Sequence, residues 1–162
     1  MTPVVDDSLL DPDRAEPRAD AAATDYFTFA LCRRVYALPP AAVELVVAPH
    51  EIVAVPGAPA YVLGVVHLRG RILTAIDLAA VLAIDRAADA EPAGRLVIVH
   101  ARDFAFAVPV DATLGLWPVA ASDRRASDGR YVTTMLATTS GAAAALLDVA
   151  ALLDGMLAGA RT

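Results

Sequence analysis

At 162 residues, with 57% hydrophobic side chains, a mean hydropathy of +0.55 and a formal net charge of −6, the chain can bury a sizeable core as one unit or as two small halves. The negative balance excludes the dense cationic surface that phosphate neutralisation requires, so no nucleic-acid partner is expected. The longest uncharged apolar stretch, Ile52 to Leu68, carries Pro56, Gly57, Pro59 and Gly64 and cannot cross a bilayer as a helix. Met1 to Asp7 lack a basic region followed by an apolar one, and the single Cys32 excludes an internal disulfide; a cytoplasmic protein without membrane insertion is the expectation.

Residues 1–24 read as a mobile acidic tail. Asp6, Asp7, Asp11, Asp13, Glu16 and Asp20 stand against Arg14 and Arg18, which puts −4 of the −6 here, and no apolar period accompanies them. From Asp25 onward short apolar runs alternate with turn residues. Phe27, Phe29 and Leu31 share one face of a strand, Cys32-Arg33-Arg34 turns the chain, and Val35 to Leu38 returns as the second strand of a hairpin. Strands are expected at Val43–Val47, Glu51–Val55, Val65–Leu68 and Ile72–Asp77, with one short turn from Tyr61 to Gly64. A short helical segment follows at Leu78–Ile84. Ala88 to Gly94, with Asp89, Glu91 and Pro92, reads as a connector, after which Leu96–His100, Phe104–Val110 and Thr113–Val119 repeat the strand-rich style.

An offset of about seventy residues relates the two halves. Tyr36-Ala37-Leu38-Pro39 matches Phe106-Ala107-Val108-Pro109, Tyr61-Val62 matches Tyr131-Val132, and Ile76 to Leu82 matches Leu147 to Leu153, all in the same order. The pattern predicts a first β-subdomain at about 25–90 and a second at about 95–153. Alanine-rich Ala142 to Leu147 favours a helix on propensity alone. The duplicated pattern instead predicts a strand through Leu147, Asp148 as an N-cap, and a closing helix at about 149–158.

The run from Val55 to Leu78, built on Pro56-Gly57-Ala58-Pro59, Gly64 and His67-Leu68-Arg69-Gly70, closely resembles the signature of the CheW-like coupling domain of bacterial chemosensory systems. The resemblance extends from about Tyr26 to Leu153, including Val110-Asp111-Ala112 and Leu146 to Leu153, so 25–162 is read as one CheW-like domain. It implies a mainly β fold of two SH3-like, five-stranded barrels related by a pseudo-twofold, with short helices. It also implies a non-catalytic adaptor in two-component signal transduction, coupling chemoreceptor cytoplasmic tips to the regulatory domain of a chemotaxis histidine kinase in arrays, with other CheW-like domains as further partners. The partner-binding residues carried over by the resemblance are Val43, Leu45, Gly64, His67, Arg69, Gly70, Val110 and Asp111. Arg69 comes first among them, because a planar guanidinium at a bend can bind a carboxylate or backbone carbonyls.

The chain departs from the family pattern at identifiable places. Val43-Glu44-Leu45-Val46 puts Leu45 where the family has a glutamate and Glu44 on the other strand face; His67 replaces an asparagine, Thr74 a proline, and Thr134 stands where glycine is common. These departures leave open a divergent adaptor that binds receptors but couples poorly to kinase. A small-ligand-binding β-barrel is the alternative of a different class, and it requires an enclosed pocket with converging polar groups. Catalysis, a metal and a cofactor are not expected. His50, His67 and His100 have no ligand spacing, Cys32 has no evident base, and Asp77, Asp111 and Asp148 read as strand ends or helix caps.

Overall fold

The computed structural model describes residues 23–88, 90, 93–138 and 141–159. It is mainly β, with eleven strands among the described residues: β1 (Ala23–Leu31), β2 (Arg34–Leu38), β3 (Val43–Val47), β4 (Val62–Leu68), β5 (Arg71–Ile76), β6 (Arg95–Ala101), β7 (Phe104–Val110), β8 (Ala112–Ala120), β9 (Arg124–Ala126), β10 (Val132–Ala137) and β11 (Ala143–Leu147). Helices α1 (Leu78–Val81) and α2 (Val149–Gly159) each follow the last strand of a half. Residues 1–22 of the expected tail lie outside the described residues. Ala23 and Thr24 do not belong to it, for they already pair with Ala120 and Val119 of β8.

The strands form two sheets, one of six in the order β8-β1-β2-β11-β10-β9 and one of five in the order β3-β6-β7-β5-β4. Neither sheet is made from one contiguous half. The halves 25–90 and 95–153 exchange their first hairpins: β1–β2 joins β8 to β11, and β6–β7 joins β3 to β5. Each exchange is sealed by a short parallel pairing, Tyr36 with Ala145 and Ala37 with Leu146 in one sheet, Phe106 with Thr74 and Ala107 with Ala75 in the other. The two pairings interchange under the seventy-residue offset, so the duplication extends to the hydrogen-bond register. In the sheet orders β8 is the counterpart of β3, and the six-stranded sheet exceeds the expected five because β9 pairs with β10 where the other half has only the isolated Val53–Val65 bridge.

The exchange places one core between the sheets. Phe29, Leu31, Tyr36, Leu38, Ile76 and Leu78 meet Val99, Ala101, Phe106, Val108, Leu147 and Val149 there, and Leu152, Leu153 and Met156 of α2 close it. Most of these are repeat equivalents, and truncating any large one costs about 2–5 kcal/mol. Each sheet also has its own interior: Val66, Leu68, Leu73, Ala75, Leu96 and Ile98 in the five-stranded sheet, and Tyr26, Ala37, Val119, Leu136 and Ala144 in the six-stranded one.

Ala143–Leu147 is a strand, as the duplicated pattern requires, because β2 and β10 supply hydrogen bonds on both its sides. Asp148 accepts a hydrogen bond from the Ala151 amide at 3.0 Å and starts α2; Asp77 accepts from the Ala80 amide at 3.4 Å and starts α1. Helix α1 ends early. Ala83 takes a left-handed φ of 55°, and the Ile84 and Ala83 amides donate back to Ala79 and Ala80.

Two local expectations are corrected. Glu51–Val55 is not a strand; only Val53 makes a bridge, exchanging hydrogen bonds of 2.9 and 2.8 Å with Val65, before Pro56-Gly57 turns the chain away. Val62 to Gly64 is part of β4 rather than a turn. That bridge explains Gly64, whose φ is +148° and where a Cβ would overlap the Val53 carbonyl. Gly70 has φ +78° and open space around the missing Cβ. Gly64→Ala is therefore expected to lower stability by about 3 kcal/mol or more, combining backbone strain with displacement of residues 53–54, whereas Gly70→Ala should cost about 1 kcal/mol. Urea unfolding of both variants checks this; equal losses would mean that the Val53 bridge contributes nothing.

Candidate docking surface

The β4–β5 hairpin alternates strictly. Val66, Leu68, Leu73 and Ala75 point into the five-stranded sheet, so Val65, His67, Ile72 and Thr74 point outward. Register aligns the outward set: His67 lies opposite Ile72, Val65 opposite Thr74, and Thr74 alongside Phe106. Phe106 is buried in the core between the sheets, but Phe104, two residues earlier on the same face, emerges 50% exposed beside Ile72 at 72%. Val53, bridged to Val65, adds a side chain 56% exposed. The result is an apolar outer face of Phe104, Ile72, Val65 and Val53, bordered by His67.

The hairpin tip carries Arg69 and Gly70, both with positive φ (50° and 78°), the geometry of a tight two-residue turn between Leu68 and Arg71. Arg69 is exposed on this tip. Next to it Arg71 forms an ion pair with Glu44 of β3, tying the tip end of the hairpin to the opposite edge strand.

The eight sequence-derived residues separate into two groups. His67, Arg69 and Gly70 come together at the tip. The other five belong to the frame. Val110 is buried between the sheets; Asp111 accepts a hydrogen bond from the Cys32 amide at 2.8 Å, and its own amide donates to Ala30 at 3.0 Å, which locks the β1–β2 turn onto the end of β7. A bulge between Val43 and Leu45 sends these neighbours to different cores, Val43 beside Val99 and Leu45 beside Ile98. Leu45 packs on the interior of the five-stranded sheet, and Gly64 serves the Val53 approach. Ile72, Phe104 and Val53 were not singled out from the sequence. The alternation Ile72-Leu73-Thr74-Ala75 held the signal for Ile72, whereas Phe104 begins an apolar run that reads as core throughout.

Elsewhere, an open surface cavity of about 440 Å³ lies beside Cys32, Arg33, Arg86 and Asp111. Burial pushes the Cys32 thiol up, against the opposing pull of Arg86, so it is a protonated thiol at neutral pH. A small pocket of about 10 Å³ between the sheets is lined by Phe29, Leu38, Val97, Phe106 and other apolar side chains. That is room for at most one water. Among the described residues no helix is long and apolar enough to cross a membrane.

Residues 25–156 match the family model described as the CheW-like domain. Among solved structures, the chain is similar to the scaffolding protein TtCheW from Thermoanaerobacter tengcongensis, with a TM-score of 0.71 and 22% identity over 80% of this chain and 92% of that one. No curated protein matches.

Two measurements test the division into tip and frame. Leu45→Glu puts a charge into an apolar interior and should lower unfolding stability by about 2 kcal/mol or more; an unchanged urea midpoint would move Leu45 to the surface group. Cys32 should react with iodoacetamide more slowly than free cysteine at pH 7.5 and gain rate as pH rises through its elevated pKa. Rapid alkylation at neutral pH would contradict the burial argument.

Proposed function

This chain belongs to the CheW-like domain family, and on that premise we propose that it is an adaptor joining the cytoplasmic tips of chemoreceptors to the regulatory domain of a chemotaxis-type histidine kinase. It works without catalysis, as a rigid piece in a cytoplasmic signalling array in which other CheW-like domains are further neighbours. The observation that carries the reading is the outer face of the five-stranded sheet: exposed Phe104, Ile72 and Val53 beside a cationic tip at Arg69. A partner docking there buries an apolar centre while Arg69 addresses a carboxylate or carbonyl at the rim.

A specific observation favours the divergent form of this adaptor over the standard one. Leu45 occupies the family's glutamate position and packs inward, while the only carboxylate of β3, Glu44, is engaged by Arg71. On this reading, a kinase contact that relies on a free carboxylate at that position is the one the chain lacks. The ligand-binding alternative has little support in a pocket of about 10 Å³ without converging polar groups.

Arg69→Asp and Ile72→Glu test the reading. Both positions are exposed, so unfolding midpoints should stay within about 0.5 kcal/mol of the parent chain. Binding to at least one partner, receptor tip or kinase regulatory domain, measured separately by calorimetry, should weaken by about 2–5 kcal/mol if the contact is desolvated in the complex. Wild-type affinity of both variants for both partners would remove this face from the adaptor surface. Loss on the receptor side, with weak kinase binding in the parent chain, would select the divergent form.

A further inference from the structure

One titratable side chain stands within the apolar face of the five-stranded sheet. Its outermost cross-strand row runs Ala101–Phe104–Ile72–His67, since Ala101 pairs with Phe104, His67 pairs with Ile72, and the parallel register sets Ile72 beside Phe104. The next row is Val99–Phe106–Thr74–Val65, with Val53 bridged to its end. Of these residues only His67 is ionisable, and it is exposed.

The duplicated frame does not impose a histidine here. Under the seventy-residue offset the same row of the six-stranded sheet reads Leu31–Arg34–Ala143–Ala137, which puts alanine at the counterpart of His67 and arginine at that of Phe104. That outer face is concave, with an open groove of about 540 Å³ lined by Ala143 and Ala145 and bordered by Arg34. His67 is thus particular to one face.

Several charges surround this position. On the same hairpin Arg69 follows two residues later, whereas Arg71 lies opposite inward-facing Leu68 and is held by Glu44 of β3, away from the outer face. On the β7 side Asp103 precedes Phe104, two strand spacings or about 9 to 10 Å from β4. In the bridging segment Glu51 comes two residues before Val53. Among the described residues none of these groups forms an ion pair or a hydrogen bond with His67.

A partner that covers Ile72 and Phe104 covers His67 as well, because side chains directly opposite on one sheet face stand about 5 Å apart. Neutral imidazole enters such a contact as an ordinary polar group, whereas imidazolium has to shed its hydration near the permanent cation of Arg69. An acceptor that the partner brings to the rim is already met by Arg69. Given that this face is the adaptor surface proposed above, we infer that His67 makes docking on it pH-dependent: the partner takes the neutral imidazole, and protonation of His67 releases it. Docking then requires loss of a proton. Affinity is full above the range in which histidine titrates and falls as the pH drops through it, by up to about tenfold per pH unit.

The test measures binding of the full parent chain, His67→Asn and Ile72→Glu to a receptor tip and to a kinase regulatory domain by calorimetry from about pH 8 to about pH 5.5, within the range where circular dichroism shows an unchanged fold. His50 and His100 remain in every protein, so the difference between the parent and His67→Asn isolates His67. The partner whose binding Ile72→Glu weakens should bind the parent about tenfold or more weakly at the acid end, and His67→Asn with a flatter profile. Between those ends the parent should release a proton on binding, seen as a heat that varies with the ionisation enthalpy of the buffer. One pH profile shared by the parent and His67→Asn overturns the inference and leaves the face intact as a docking surface. Tighter parent binding at low pH that His67→Asn loses also overturns it, because a carboxylate of Glu51 or of the partner then meets the imidazolium. Full binding of Ile72→Glu to both partners would remove the face from the adaptor surface, and the inference with it.

Discussion

The parallel pairings between β2 and β11 and between β5 and β7 are the constraint on which the rest of the molecule depends. Parallel neighbours cannot be made by a hairpin, and here each joins strands from opposite halves of the sequence, Tyr36 to Ala145 across more than a hundred residues. Neither sheet is complete without the hairpin donated by the other half. The halves therefore fold as one cooperative unit, and the long loop closures are repaid only when the core between the sheets forms. Its pseudo-symmetric composition, Tyr36 facing the same problem as Phe106 and Ile76 the same problem as Leu147, follows from satisfying one exchange twice.

An exchanged architecture also fixes where surfaces can be. The outer face of each sheet is covered by the shared core at one end, at Phe106 and at Tyr36, and emerges at the other, at Phe104 and Ile72 or at Arg34 and Ala143. Both emerging faces are held on sheets that cannot rotate relative to one another without opening that core. For an adaptor this rigidity has a direct use: two partners seated on two faces acquire a fixed mutual geometry, and no hinge or catalytic group is required. The polar fastenings serve the same end. Asp111 clamps the Cys32 turn to β7, Arg102 reaches Asp154 of α2 with two hydrogen bonds of 2.7 and 3.0 Å, and the Tyr61 hydroxyl donates to the Met156 carbonyl at 2.5 Å.

Much of this was legible from residues alone, for reasons that also mark the boundary. The seventy-residue offset revealed which segments are equivalent, because equivalent strands need the same apolar pattern and the same Asp cap. Equivalence does not state partnership: a hairpin that pairs within its own half and one that crosses to the other carry the same alternation. Hence most strands were foreseen, while β9 and β10 were not, Glu51–Val55 was expected in error, and the exchange was not foreseen. The tip at His67 to Gly70 was legible because a two-residue turn demands its own residue types. The fate of Leu45 was not, since a bulge shifts register by one position without any sequence mark, and that single step decides whether a side chain meets a partner or a core. Gly64 was visible as an unusual residue, yet its reason, the approach of the Val53 carbonyl, lies in a segment eleven residues away in sequence.

Alanine content illustrates how tertiary context turns one composition to two ends. In isolation Ala142 to Leu147 favours a helix, and only the flanking β2 and β10 make it a strand. Once there, the same alanines leave the outer face of the six-stranded sheet concave, because methyl groups cannot fill the space that Ile72 and its neighbours fill on the equivalent face. The helix-prone run and the groove are thus one feature seen at two levels. Composition at β11 costs local propensity and supplies surface shape, while Asp148 immediately after it restores helix for α2. The chemical difference between the two faces, apolar on one sheet and arginine-bordered on the other, rests on a handful of side chains placed upon an almost identical backbone register. Two distinct docking chemistries can thereby be carried by one duplicated frame.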